Sequence, residues 1–199
     1  MKKIMFNDRY GLTETVLSGR KTQTRRILKG KPLLPTDDIE EAAVVGDIAQ
    51  IIANSGESLI TCKLPYKVGE IVAVAQSYCD AGLNPFPFCE AGWHNKMFVR
   101  ADLMPHQICI TNVRIERLQD ISNEDCIAEG VVISPKKVKG SIDMYFPSQS
   151  DKSAADKIGW GIVYHAPREA YASLIDNVSG KGTWKSNPWV FVYDFELVK

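Results

Sequence analysis

An excess of charge of either sign is missing from this chain: 24 Lys and Arg balance 24 Asp and Glu across 199 residues. That excludes a protein that coats nucleic acid by bulk charge, so any nucleic-acid contact has to come from a local patch. Metal-ligand spacing is missing too. The five cysteines, Cys62, Cys79, Cys89, Cys109 and Cys126, form no CxxC pair, and His94, His106 and His165 stand far apart. No zinc site is expected, and an odd set of scattered thiols points to buried free cysteines in a reducing cytoplasm. No apolar run approaches bilayer length, and the one after Lys2-Lys3 is too short for a signal peptide. A cytoplasmic protein is expected, with no membrane, no metal and no cofactor. With 45% hydrophobic residues the chain can bury a sizeable core as one domain, 1–199, with loop insertions near 30–46, 80–96 and 132–160.

Against that neutral background, Gly19-Arg20-Lys21-Thr22-Gln23-Thr24-Arg25-Arg26 places four cations and two hydroxyls in eight residues, with no carboxylate. Such a density of donors attracts phosphate or another anion. A short amphipathic segment precedes it. Asn7 or Asp8 can cap a helix over 9–18, with Leu12, Val16 and Leu17 as its apolar stripe and Gly19 as its C-terminal cap. Alternation from Thr22 to Leu28 then predicts a strand. On a regular strand Lys21 and Thr24 face opposite sides. A shared site therefore requires Lys21 to lie in the turn before the strand, or a bulge to intervene.

Further along, 3–6 reads as a first strand and 30–46 as a surface excursion with a short helix. Residues 47–53 and 59–64 make a hairpin about Asn54-Ser55-Gly56-Glu57, and 71–75 is a buried strand. The Gly-, Pro- and aromatic-rich stretch 80–95 reads as a long loop, followed by a short strand over 97–101. Residues 108–118 alternate well and predict a strand. Residues 123–129 predict a helix closed by Gly130. Irregular sequence fills 131–158, where Lys136, Lys137 and Lys139 read as solvated. A helix from Pro167 and a terminal strand over 188–198 complete the chain. Many short strands with few short helices predict an α+β domain built on a β-barrel with short peripheral helices. Trp184, Trp189, Phe191 and Tyr193 fit its core by their alternation, whereas Tyr78 and Trp93 beside the irregular loop are better placed to stack a base.

Four segments carry a family resemblance. The helix followed by Gly19-Arg20-Lys21-Thr22-Gln23-Thr24-Arg25-Arg26 resembles the opening of the ASCH family, a small β-barrel superfamily related to PUA RNA-binding domains. Lys67-Val68-Gly69-Glu70-Ile71-Val72 is similar to its "pGDvl.V" segment. The stretch from Asp120 through Glu129-Gly130-Val131 is similar to the "dIseedA.aEGv" helix of phage- and prophage-encoded members. Gly182-Thr183-Trp184 with Asn187-Pro188-Trp189-Val190 is similar to their "GtW..NPwVwv" ending. The segments occur in the family's order and span most of the chain.

The resemblance implies a PUA-like ASCH barrel and, from members that remove the acetyl group of N4-acetylcytidine, an amidohydrolase using Lys21, Thr24 and Glu129. Amide hydrolysis needs a nucleophile, a base to activate it and an acid for the leaving amine. Thr24 would supply the hydroxyl or position a water. Lys21 would act as base if burial and its cationic neighbours lower its pKa, or else stabilise the oxyanion. Glu129 would shuttle the proton. Arg20, Thr22, Arg25 and Arg26, with Gln76, Tyr78 and Trp93, are the candidate contacts to a nucleoside, nucleotide or RNA ligand. Where phage-type relatives carry Arg and Glu after the "GD" strand, this chain has Ala75 and Gln76. Two other functions fit the same residues: a non-catalytic PUA-like module that binds RNA or a modified nucleotide, and a phage accessory protein acting through protein contacts.

Overall fold

A computed structural model describes residues 1–28, 39–55, 58–85, 90–134, 143–159 and 161–198. These form a mixed α+β structure whose main sheet has five strands. β1 (Lys3–Ile4) pairs in parallel with β6 (Ile71–Val74). β6 continues antiparallel to β7 (Gln107–Arg117), β7 to β10 (Trp189–Leu197), and β10 to β2 (Gln23–Ile27), which forms the far edge. A second antiparallel sheet holds β3 (Ile39–Val45), β4 (Ile48–Ala53) and β5 (Ser58–Lys63). A two-stranded ribbon joins β8 (Val132–Ile133) to β9 (Tyr145–Phe146). Among the described residues these sheets are separate, and no strand pairing closes them into a ring.

Among the described residues six α-helices flank them: α1 (Leu12–Leu17), α2 (Glu90–His94), α3 (Asn123–Ala128), α4 (Gln149–Ile158), α5 (Pro167–Ser179) and α6 (Thr183–Ser186). One large apolar cluster, including Ile4, Leu12, Val72, Ile108, Tyr171 and Val192, sits between sheets and helices. A smaller one gathers Ala73, Ala75, Tyr78, Val99 and Met104. None of the described helices is long and apolar enough to cross a membrane.

Several expectations require correction. The helix expected over 9–18 is broken at Gly11, whose φ of 66° is left-handed; Asn7 caps only a 3-10 turn (Asp8–Tyr10). The described part of 30–46 holds no helix but strand β3, because Gly46 (φ 63°) and Asp47 turn the chain back onto β4. Residues 97–101 are not a strand: Asn95 accepts from the Met97 N–H and starts a 3-10 turn (Lys96–Phe98), and a second spans Ala101–Leu103. The loop 80–95 contains α2. The stretch 131–158 contains β8, β9 and α4, the last capped by Ser148 accepting from the Asp151 N–H. Of the four described cysteines only Cys126 is buried; Cys62 and Cys109 are partly so and Cys79 is exposed. Cys89, the turn residues Gly56-Glu57 and the lysines at 136, 137 and 139 lie outside the described residues.

Two local features fix the site. Gly19 turns the chain out of α1 at φ 71°, and the Arg20 and Lys21 N–H groups both donate to the Thr15 carbonyl at 2.9 Å. Lys21 thus lies in the turn before β2, the first of the two arrangements that let it share a site with Thr24. At the other end Ser122 caps α3 by accepting from the Asp125 N–H, and the helix ends at Glu129-Gly130, with Gly130 at φ 108°. The Thr22 N–H donates to the Ala128 carbonyl at 3.0 Å and ties the two ends together. A Cβ on Gly130 would stand 3.4 Å from Leu12 and 3.8 Å from the Lys21 side chain, in a backbone region that L-residues rarely adopt. Gly130→Ala is therefore expected to lower unfolding stability by about 1–3 kcal/mol in urea titration. A variant as stable as the parent would contradict this reading of the turn.

Candidate functional site

Lys21 is 2% exposed and Glu129 4%, figures that make their pairing a buried one. The Lys21 ammonium donates to Glu129 Oε2 at 2.5 Å and to the Glu129 main-chain carbonyl at 2.6 Å. Arg25 reaches the other carboxylate oxygen, Nη1 to Oε1, at 3.2 Å. Glu129 thus bridges two cations from one short segment. Desolvation makes such an arrangement costly unless each charge is matched, and here the carboxylate has a partner on each oxygen.

The matching continues behind Glu129. The β2–β10 register sets Arg25 opposite Val192 and Gln23 opposite Asp194, and β7 sets Arg114 opposite Val192. One face of three strands thereby collects Gln23, Arg25, Arg114, Glu116 and Asp194. Arg25 donates to Glu116 Oε1 through Nε and Nη2 at 2.9 and 2.6 Å, and to Asp125 of α3 at 2.8 Å. Arg114 bonds Glu116, Asp125 and Asp194 at 2.6–3.1 Å. Burial by itself would lower the Arg25 pKa, but the Glu129 and Glu116 charges and the Glu116 hydrogen bond outweigh it and keep the guanidinium ionised. Burial likewise pushes Asp125 up, while hydrogen bonds from Arg25 and Gln23 hold its carboxyl below the ordinary value.

On the opposite face of β2 stand Thr24 and Arg26, opposite Tyr193 and Phe191. Lys21, Thr24, Arg25, Arg26 and Glu129 all line one cavity of about 740 Å³. Consecutive strand residues point to alternate faces, so they share a cavity only where it runs along a sheet edge, which is where β2 lies. Phe6, Tyr66, Tyr171 and Phe191 give the cavity aromatic walls, and Leu12, Leu174 and Ile175 add aliphatic ones. Burial pulls the Lys21 ammonium below the ordinary lysine value of 10.5. The Glu129 charge and hydrogen bond oppose that pull, and the nearby Arg26 and Arg25 charges add to it.

The basic segment is therefore not a surface patch. Arg20 is exposed and bonds Ser18 and Gln149, Lys21 and Arg25 are buried, and Arg26 is partly buried with Nη2 on the Met5 carbonyl at 2.6 Å. Arg20 and Thr22 do not line the cavity, and neither do Gln76, Tyr78 and Trp93. Tyr78 is 1% exposed in the smaller apolar cluster, its hydroxyl accepting from the Arg100 N–H, so its ring has no free face to stack a base. Gln76 is buried near Met104, and Trp93 packs against the Tyr78 cluster. Tyr66, Tyr171 and Phe191 were not foreseen as cavity residues. Tyr171 carries no local signal, being one more inward residue of an amphipathic helix. Among the described residues, no group of three or more His, Cys, Asp or Glu side chains could hold a metal ion.

No family model matches the chain, and no curated protein or solved structure matches it either.

Two outcomes follow from this geometry. Arg25→Met removes the shared partner of Glu129, Glu116 and Asp125 and is expected to cost about 3–5 kcal/mol of unfolding stability near neutral pH. The loss should shrink as pH falls through the Asp125 pKa, which lies below the ordinary 3.8, because that carboxyl then takes up a proton and no longer needs the guanidinium; an undiminished loss in acid-range urea titrations would contradict it. Cys126, fully buried and pushed by burial to about 12, should resist iodoacetamide at pH 8 while exposed Cys79 is alkylated. Peptide mapping that finds Cys126 labelled as fast as Cys79 would refute that placement.

Proposed function

We propose that this chain is a nucleoside- or nucleotide-directed protein of ASCH type, built on a PUA-like barrel plan, that hydrolyses the acyl amide of N-acylated nucleosides such as N4-acetylcytidine. The observation that carries the reading is the buried Lys21–Glu129 pair at 2.5 Å on the wall of a cavity that Thr24 also lines. The cavity volume falls in the range of small-ligand sites, and its four aromatic walls suit a flat heterocycle.

Each residue has a role its surroundings support. Thr24 Oγ1 attacks the acyl carbon and its proton passes to Glu129, whose carboxylate lies in the same cavity. The Lys21 ammonium stabilises the oxyanion of the tetrahedral intermediate and protonates the leaving amine. A lysine held below its ordinary pKa releases that proton more readily than an exposed one. Water then attacks the Thr24 ester, freeing the acid and restoring the hydroxyl.

One observation favours a non-catalytic binding module instead. Lys21 and Glu129 already satisfy each other, so a substrate has to compete for them. Turnover separates the two readings. Wild type should deacetylate N4-acetylcytidine, and Lys21→Ala, Glu129→Gln and Thr24→Ala should each lose about 10²–10⁴-fold in rate while remaining folded by circular dichroism. Since the ammonium form is the one required, activity should fall as pH rises through the Lys21 pKa, with an alkaline limb below 10.5. No turnover of any N-acyl nucleoside by folded wild type would sink the hydrolase and leave binding.

A further inference from the structure

Arg25 and Arg26 are neighbours with opposite circumstances. Arg25 is matched by three carboxylates within 3.2 Å. Arg26 has no carboxylate within ion-pair distance among the described residues. Its Nη2 rests on one main-chain carbonyl, its guanidinium lies 5.5 Å from the centre of the Phe6 ring, and its Nε is buried with no partner at all. Burial lowers its pKa, and the neighbouring Tyr66, Glu129 and Tyr193 oppose that pull without reversing it. A guanidinium whose buried Nε has no acceptor carries a desolvation cost that the Met5 carbonyl and the Phe6 ring offset only in part. The stack on Phe6 and the Met5 carbonyl fix its plane, so the open edge is pre-set for a fork-shaped acceptor.

The charge around the cavity points the same way. Among the described residues Glu129 is its one lining carboxylate, and it is occupied by Lys21 and Arg25. Lys63, at the end of β5, also lines it and is exposed. Among the described residues neither Arg26 nor Lys63 is ion-paired, although Asp47 feels the Lys63 charge, so the cavity wall carries excess positive charge. An anion entering it meets a guanidinium donor and an ammonium at the wall.

From this we infer that Arg26, assisted by Lys63, forms an anion subsite that receives the phosphate of a nucleoside 5′-monophosphate, so that the preferred ligand is a free nucleotide and not an uncharged nucleoside. The inference rests on the nucleoside-directed reading above and narrows it. A cavity lined mostly by apolar and aromatic side chains, in place of a basic groove, favours a mononucleotide over an RNA strand.

The test compares kcat/KM for N4-acetylcytidine and its 5′-monophosphate. Wild type should prefer the monophosphate by about tenfold or more, the size of one charge-assisted contact. The preference should weaken in high salt, and Arg26→Gln should bring the ratio close to one. Lys63→Ala, at an exposed position where folding is not at stake, should reduce it. Equal kcat/KM for the two substrates in wild type, or a preference unchanged in Arg26→Gln, overturns the subsite while leaving the hydrolase standing. If neither compound is turned over, calorimetric titration with cytidine 5′-monophosphate against cytidine decides: tighter monophosphate binding that Arg26→Gln abolishes supports the subsite, and equal or absent binding overturns it. Tighter binding of a short RNA than of the monophosphate also overturns it, in favour of a strand-binding surface.

Discussion

A lysine and a glutamate buried together within hydrogen-bond reach set the terms for everything around them. Neither ion is stable alone in that position, because the interior screens charge poorly and burial strips both of water. The fold answers with a chain of compensation: Lys21 to Glu129, Glu129 to Arg25, Arg25 to Glu116 and Asp125, and Arg114 closing onto Asp125 and Asp194. The links come from five places in the chain, with β7 and α3 each supplying two. The turn after α1, β2, β7, β10 and the end of α3 must all be in register for the charges to match. That requirement accounts for the left-handed glycines, Gly19 and Gly130, at the two ends of the site.

Two faces of one edge strand do different work. Gln23 and Arg25 anchor β2 to the charge network, while Thr24 and Arg26 face the aromatic side of the sheet. Because β2 is unpaired on its outer side, both faces reach the same cavity. Arg25, with its carboxylates, serves structure. Arg26, with an idle Nε, is the cation on which the proposed anion subsite draws. Neighbouring arginines of one short segment are thus told apart by what stands opposite them, not by their own chemistry.

Much of this was legible in the sequence, and the limits were physical. Lys21, Thr24 and Glu129 were singled out by the family resemblance, and strand alternation required either that Lys21 sit in the turn or that a bulge intervene, of which the structure has the turn. The helix end at Gly130 and the terminal strand were legible because caps and period-2 runs are local signals. The ionic network was not. A register shift between Asp194 and Phe195 interrupts the pairing with β7, and burial along that strand passes from Ile108 and Ile110 to Val113. Simple alternation groups Asn112 with Ile110 and so hides the polar face formed by Arg114 and Glu116. Tyr78 went the other way. A tyrosine beside an irregular loop reads as available, but Gly92 packs so closely on its ring that an added Cβ would lie 2.4 Å from it. Long-range packing of that kind leaves no trace in neighbouring residues.

The buried pair can be observed directly. In protein labelled with ¹⁵N-lysine, the Lys21 Nζ resonance, assigned by its loss in Lys21→Arg, can be followed by NMR against pH with and without N4-acetylcytidine. The account requires a midpoint below the ordinary 10.5 in the free protein and a resonance that moves when the nucleoside is added. An Nζ that titrates at or above 10.5 and ignores the nucleoside would contradict both the burial of the pair and its place in a ligand site.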